Sequence, residues 1–66
     1  MDFSSKALIK ILELNGYILK RSKGSHFIYY HPETKITVPV PVHRRDIKKG
    51  TFYAILKEAK IDKNNY

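Results

Sequence analysis

The sequence predicts an α+β fold with the element order α-β-β-β-α, in which two helices lie on one face of a three-stranded antiparallel sheet. Helix-like apolar repeats occur near both ends of the chain, and three β-prone segments separated by turn-forming runs lie between them. At 66 residues, we expect residues 1–66 to form a single domain with a thin core. This length excludes two-domain enzymes and cofactor-binding folds, and it places any chemistry on an open surface.

The first helix is predicted over about residues 5–14. Apolar residues recur there at i, i+3 and i+4 spacing. Ser4 or Ser5 is the expected N-cap, and Asn15-Gly16 is the expected C-terminal stop.

Two strands should follow as a hairpin. Residues 17–21 are short and β-prone, and residues 22–25 are rich in turn formers. Residues 26–30 are dense in aromatic and branched side chains and end before Pro32, which cannot continue a ladder.

The third strand has the clearest periodicity, because every even position from 36 to 42 is a branched apolar residue. That face is predicted to lie in the core. Pro39 and Pro41 remove backbone donors from one edge only, whereas Val38 and Val40 keep theirs for a neighbour. The third strand is therefore predicted at the edge of the sheet.

A basic loop is expected over residues 43–49, followed by a second helix with Thr51 as N-cap. The polar residues 62–66 are expected to form a frayed tail. The apolar positions of the second helix are Phe52, Ile55, Leu56 and Ala59.

The formal net charge is +7, from 13 Lys and Arg against 6 Asp and Glu. Nearly all of it falls between positions 20 and 49, where eight basic residues accompany two acidic ones. This pattern favours a polyanionic partner, and the alternative is a solubilising surface. The sequence has no cysteine, no apolar run long enough to cross a membrane and no signal-peptide pattern, so we expect a cytoplasmic protein without disulfides.

Three histidines are the candidates for acid-base chemistry. His26 follows Gly24-Ser25, where a glycine backbone can approach a phosphate closely and neighbouring cations can gather. RNA cleavage needs a base for the 2′-hydroxyl and an acid for the leaving 5′-oxygen. The alternative is that His26 is a locally hydrogen-bonded strand residue, and strand parity leaves open whether its side chain points inward. His31 is more consistent with a turn residue, and His43 with either a phosphate contact or an exposed loop residue.

The sequence gives less support to nucleophilic catalysis, metal binding and nucleotide binding. Ser25 lacks the sequence context of a nucleophile and is predicted to be a turn hydroxyl. The histidines show no paired-ligand spacing and have only Glu33 and Asp46 as nearby carboxylates, and the glycines match no nucleotide-binding loop, so we expect no metal and no cofactor. Tyr29, Tyr30 and Tyr53 are candidates for base stacking, although aromatic residues in a thin core more often serve packing.

Several short motifs occur together in a characteristic order. They are Asn15-Gly16-Tyr17, Lys23-Gly24-Ser25-His26, His31-Pro32, Ile36-Thr37-Val38-Pro39, Lys48-Lys49-Gly50-Thr51 and Ile55-Leu56-Lys57-Glu58-Ala59. In this order and spacing, over roughly residues 4–61, the chain resembles the HicA family of toxin-antitoxin mRNA interferases. It departs from many relatives at Phe27, where they often carry a polar residue, and in the proline-rich segment 39–43.

The resemblance implies a fold like the double-stranded RNA-binding domain and a metal-independent endoribonuclease activity against mRNA. It also implies that His26 is the catalytic residue, that Gly24 belongs to the same motif, and that a HicB-like antitoxin covers the site. The group that partners His26 as second acid or base is left open, with Lys23, Ser25 or water as possibilities.

Substrate positioning is assigned to residues that cluster with His26 or in the basic loop. They are Lys20, Arg21, Lys23, Gly24, Ser25, Arg44, Arg45, Lys48 and Lys49. One alternative is a non-catalytic double-stranded-RNA-binding module, whose basic cluster normally lies inside the start of the second helix. Another is an interaction protein with no role on RNA.

Overall fold

A computed structural model describes residues 2–66 and confirms the predicted element order. The three strands form one antiparallel sheet in the order β1-β2-β3. The elements are α1 (Ser5–Leu14), β1 (Ile18–Lys23), β2 (His26–Tyr30), β3 (Thr37–Pro41), α2 (Lys49–Glu58) and a 3-10 turn (Lys63–Asn65).

Helix α1 begins and ends as its sequence predicts. The Ser4 hydroxyl accepts a hydrogen bond from the Ala7 amide at 3.1 Å, which identifies Ser4 as the N-cap. The neighbouring Ser5 has a different role, because its buried hydroxyl donates to the Pro41 carbonyl at 2.7 Å. This bond ties the start of α1 to the end of β3.

Both helices cover the same face of the sheet. The core contains side chains from α1, α2, β2 and β3, and the largest fully buried ones are Phe52, Leu8, Leu12, Leu56, Val38 and Val40. The other face of the sheet, which we call the open face, carries the alternate residues of each strand. Any ligand that binds the sheet directly must approach from the open face.

Strand β3 lies at the edge of the sheet, as predicted. Val38 and Val40 are fully buried, and their pairing partners on β2 are Tyr29 and Phe27. The ladder continues beyond the strand, where the Val42 amide donates to the Ser25 carbonyl at 2.7 Å.

Hydrogen-bonded pairs alternate with non-bonded ones along such a ladder, so Pro39 and Pro41 fall at positions that need no donor towards β2. The prolines therefore leave the β2–β3 pairing intact and deprive only the outer edge of donors.

Two predicted boundaries were wrong. Strand β1 was expected over residues 17–21 but runs to Lys23, because only Gly24 and Ser25 form the hairpin loop. Thr51 is not the N-cap of α2. The Phe52 amide bonds to the Lys48 carbonyl at 2.9 Å, so the first turn is already closed around Thr51, and the cap residue is Lys48.

The C-terminal residues make defined contacts. A 3-10 turn follows Asp62, whose carboxylate accepts from the Asn64 amide at 2.9 Å. The Asn15 side-chain amide donates to the Asn65 carbonyl at 3.1 Å, which joins this turn to the end of α1. The segment that we expected to fray is thus placed against the helical layer.

Candidate active site

His26 is the first residue of β2, and its side chain is exposed. Its pairing partners are Lys23 on β1 and Pro41 on β3. The next residue, Phe27, packs against the core, so alternation along the strand places His26 on the open face. The His26 side chain, whose direction strand parity left open, therefore points outward. Ile28 is only half-buried and shares the open face with His26.

The turn before His26 has a backbone that requires glycine. Gly24 has φ +58°, and it is the first of the two loop residues between the paired Lys23 and His26. A positive φ at the first central position but not at the second, Ser25, is the mark of a type II′ hairpin turn, which favours glycine at the first position. A Cβ at Gly24 would meet no heavy atom within 4 Å, so open space adjoins the turn.

A β-bulge brings the basic residues of β1 onto the open face. The register shifts between Leu19, which pairs with Tyr29, and Arg21, which pairs with Ile28. The extra residue is Lys20, whose ammonium lies 5.0 Å from the centre of the Tyr30 ring. Tyr30 and Lys20 therefore form a cation–π pair at the far end of β2, four residues from His26 and about 13 Å away at the usual rise per residue.

A cavity of about 280 Å³ opens beside Pro41, the residue that flanks His26. We call it the basic cavity. It is lined by Pro41, His43, Arg45, Asp46, Ile47, Lys48 and Thr51.

The loop around the basic cavity is held at one buried residue. Ile47 is only 4% exposed, and its amide donates to the Phe3 carbonyl at 2.8 Å. The residues before and after it, 43–46 and 48, are all exposed. Ile47 thus anchors the loop while its charged neighbours face solvent, an arrangement that the sequence analysis missed because a lone isoleucine among charges has no periodicity.

The predicted site residues fall into two groups. Lys23, Gly24 and Ser25 adjoin His26, and Arg45 and Lys48 line the basic cavity next to it. Four others lie apart: Lys20 and Arg21 farther along the open face, Arg44 exposed in the loop and Lys49 in the first turn of α2.

His31 has a structural role. Its Nδ1 accepts hydrogen bonds from the backbone amides of Glu33 (3.2 Å) and Thr34 (3.3 Å). Its ring packs edge-on against Tyr17, with ring centres 5.1 Å apart. His31 is therefore a turn residue, in agreement with the sequence-based interpretation.

Of the three candidate stacking residues, Tyr29 is a core residue, because only 3% of it is exposed. Burial raises its pKa, and the Glu13 carboxylate adds to that shift. Tyr53 packs edge-on against Phe3 and Phe52. Tyr30 alone among the three lies on the open face.

Another buried tyrosine supports the fold beneath the site. The Tyr17 hydroxyl donates to the Ala59 carbonyl at 2.7 Å. Burial raises the pKa of Tyr17, Glu58 adds to the shift, and a hydrogen bond with Thr34 opposes it. This tyrosine joins the end of α2 to the segment between α1 and β1.

Within residues 2–66, no three His, Cys, Asp or Glu side chains are grouped closely enough to hold a metal ion. No helix in the same part of the chain has the length and apolar character that a membrane crossing requires.

Comparison with known proteins gives one family. The model of the family described as "HicA toxin of bacterial toxin-antitoxin" matches residues 5–61, which is most of the chain and contains His26 and the basic cavity. No curated protein matches the chain.

Proposed function

This chain belongs to the HicA toxin family, and we propose that it is a metal-independent endoribonuclease that cleaves mRNA, with His26 as a catalytic acid-base residue. The observation that carries the proposal is the position of His26, exposed on the open face between Lys23 and the basic cavity. A histidine surrounded by cations suits proton transfer at a phosphodiester, whose negative charge increases in the transition state.

The chemistry follows from these groups. A base removes the 2′-hydroxyl proton, the 2′-oxygen attacks phosphorus, and the bond to the 5′-oxygen breaks as an acid protonates that oxygen. Lys23 and the cations of the basic cavity, Arg45 and Lys48, stabilise the charge on the phosphoryl oxygens. Gly24 leaves space for a phosphate to approach the hairpin backbone.

The outlying cations would bind neighbouring phosphates. Lys20 and Arg21 follow the open face away from His26, towards Tyr30, which offers a ring for base stacking. Arg44, exposed in the loop after β3, and Lys49, in the first turn of α2, follow or precede residues that line the basic cavity and add to its positive charge. Each such contact would contribute to a salt-dependent affinity without selecting a sequence.

The proposed partner is a HicB-like antitoxin that covers His26. Family membership supports a toxin-antitoxin pair, and the net charge of +7 favours an acidic surface on that partner. An antitoxin bound over the open face would exclude RNA by occupying the same cations.

One observation favours the alternative of a non-catalytic RNA-binding module. Helix α2 begins at Lys49, so a basic residue lies in its first turn, where such modules carry basic clusters. Both functions would use the same surface, and only the nuclease requires the imidazole of His26.

The test is cleavage of a structured mRNA in excess EDTA by wild type and His26→Ala. Because His26 is exposed, the variant should fold, which circular dichroism would verify. Lys10→Ala, an exposed change on α1, is the control for altered charge. We expect cleavage by wild type and Lys10→Ala and a loss of about 10²–10⁴-fold for His26→Ala. Equal cleavage by His26→Ala would contradict the assignment, and RNA binding without cleavage by wild type would favour the binding module.

A further inference from the structure

The proposed reaction moves two protons on opposite sides of one phosphorus atom, and a single imidazole at His26 directly serves one of them. Of the neighbouring side-chain types, a lysine ammonium or serine hydroxyl holds its proton too tightly near neutral pH for efficient exchange. A carboxylate has the opposite defect, because it is rarely protonated there. Histidine is the side chain whose ordinary titration range suits both roles.

A second histidine lies next to His26 through the β2–β3 ladder. His26 pairs with Pro41, and the Val42 amide extends the pairing by its 2.7 Å bond to the Ser25 carbonyl. His43 is the next residue, two positions beyond Pro41. It lies in the bend directly after this last ladder bond, one residue from Val42, as His26 is one residue from Ser25, so the two histidines flank the same hydrogen-bonded pair.

His43 lies in the bend that follows β3, so its place is given by the cavity that it lines and not by strand alternation. His43 is exposed, and Pro41 and His43 both line the basic cavity. Gly24, in the hairpin turn two residues before His26, has no heavy atom within 4 Å of the position that a Cβ would take. The space beside the hairpin turn is thus open to a ligand.

Two histidines that flank one ladder bond suit a phosphodiester. An acid and a base acting in line must each make a hydrogen bond of about 2.6–3.2 Å to oxygens on opposite sides of the phosphorus. Two histidines in direct contact would leave no room for the phosphate, whereas residues on either side of one ladder bond are not forced into contact. Arg45 and Lys48, in the cavity that His43 lines, would face the phosphoryl oxygens, and Asp46 is the one carboxylate among the lining residues.

We propose that His43 is the second catalytic residue, so that His26 and His43 divide the base and acid roles; this inference rests on the proposed nuclease function. One imidazole accepts the 2′-hydroxyl proton while the 2′-oxygen bonds to phosphorus. The bond from phosphorus to the 5′-oxygen breaks, and the other imidazolium gives its proton to that oxygen. The products are a 2′,3′-cyclic phosphate and a 5′-hydroxyl, and the two histidines end with their protonation states exchanged.

The test compares two oligoribonucleotides that differ at the scissile bond. One has the natural 5′-oxygen, and the other has a bridging 5′-sulfur, which leaves without help from an acid. Wild type, His26→Ala, His43→Ala and His43→Lys are assayed on both substrates in EDTA, each with its fold verified by circular dichroism. Both histidines are exposed, so neither alanine variant opens a cavity in the core.

We expect His43→Ala to lose about 10²–10⁴-fold in kcat on the oxygen substrate. The sulfur substrate should restore one alanine variant to within about tenfold of wild type and leave the other inactive, which identifies the acid. His43→Lys should be as defective as His43→Ala on the oxygen substrate, because a lysine keeps the charge without exchanging protons near neutral pH.

Three outcomes would overturn the proposal. Unchanged cleavage by His43→Ala would show that the imidazole is not needed. Equal losses on both substrates for both variants, or recovery by His43→Lys, would assign His43 to phosphate binding. If wild type cleaves neither substrate, the nuclease function itself is refuted, so the two failures are distinguishable.

Discussion

Replacing Gly16 by alanine is expected to destabilise this domain more than the same change at either of the other glycines. Gly16 has φ +90°, and a Cβ there would lie 2.7 Å from Nε2 of His31. The left-handed backbone alone costs an alanine about 1–2 kcal/mol. To relieve the contact the His31 ring must move, which weakens its bonds to the Glu33 and Thr34 amides.

Each of those two bonds contributes a net of about 0.5–1.5 kcal/mol, so the total expected loss for Gly16→Ala is about 2–5 kcal/mol. The chain itself provides two matched controls. Gly24 also has a positive φ, but a Cβ there would meet nothing within 4 Å, so Gly24→Ala should cost only the backbone strain. Gly50 lies within α2 with open space around it, so Gly50→Ala should stabilise the protein by about 0.5–1 kcal/mol.

The assay is urea unfolding followed by circular dichroism, with the four proteins compared at one temperature. A double mutant with His31→Ala isolates the steric part, because the strain at Gly16 persists while the clash disappears. Gly16→Ala should therefore lower the free energy of unfolding by less in the His31→Ala background than in wild type. Equal stabilities for Gly16→Ala and Gly24→Ala, or strict additivity with His31→Ala, would refute the packing argument.

Three further predictions test the fold and the basic surface. Tyr17→Phe should lower the free energy of unfolding by about 1–2 kcal/mol, because the Ala59 carbonyl loses its hydrogen-bond donor. Burial raises the pKa of Tyr17 in the native state, so the unfolded chain releases this proton first as the pH rises past about 10, and the free energy of unfolding falls. Urea unfolding at pH 7 and above pH 10 should show a smaller fall in the free energy of unfolding for Tyr17→Phe than for wild type. Ser4→Ala should cost about 1 kcal/mol by removing the N-cap of α1, and a thermal shift within experimental error would contradict this role. Lys23→Ala should reduce the salt slope of RNA affinity by about 1, whereas Lys10→Ala, on a helix of the opposite layer, should leave the slope unchanged.

Local sequence patterns were sufficient for most of the secondary structure. The apolar repeat and the serine cap predicted α1 over the residues it occupies, because capping and helical periodicity act within a few positions. Pro39 and Pro41 predicted the edge position of β3 for a similar reason, since a missing donor constrains its own strand. The errors at β1 and α2 were errors of boundary, where neighbouring residues are compatible with more than one turn.

The surroundings of His26 required the tertiary structure. Parity left its direction open, and the register of β2 between two other strands decided it by placing Phe27 and Tyr29 in the core. The bulge at Lys20 likewise depends on pairing with β2, because nothing in the local sequence distinguishes an extra residue from a regular one.

The sequence by itself therefore determined the elements, their order, the edge strand and the basic character of the middle of the chain, all of which depend on short windows or on composition. Only the tertiary structure decided that His26 faces outward, that the basic cavity opens beside Pro41, its pairing partner, and that His31 packs against Gly16. The physical reason is that strand register and core packing bring together residues far apart in the chain, and no local pattern encodes which of them will meet.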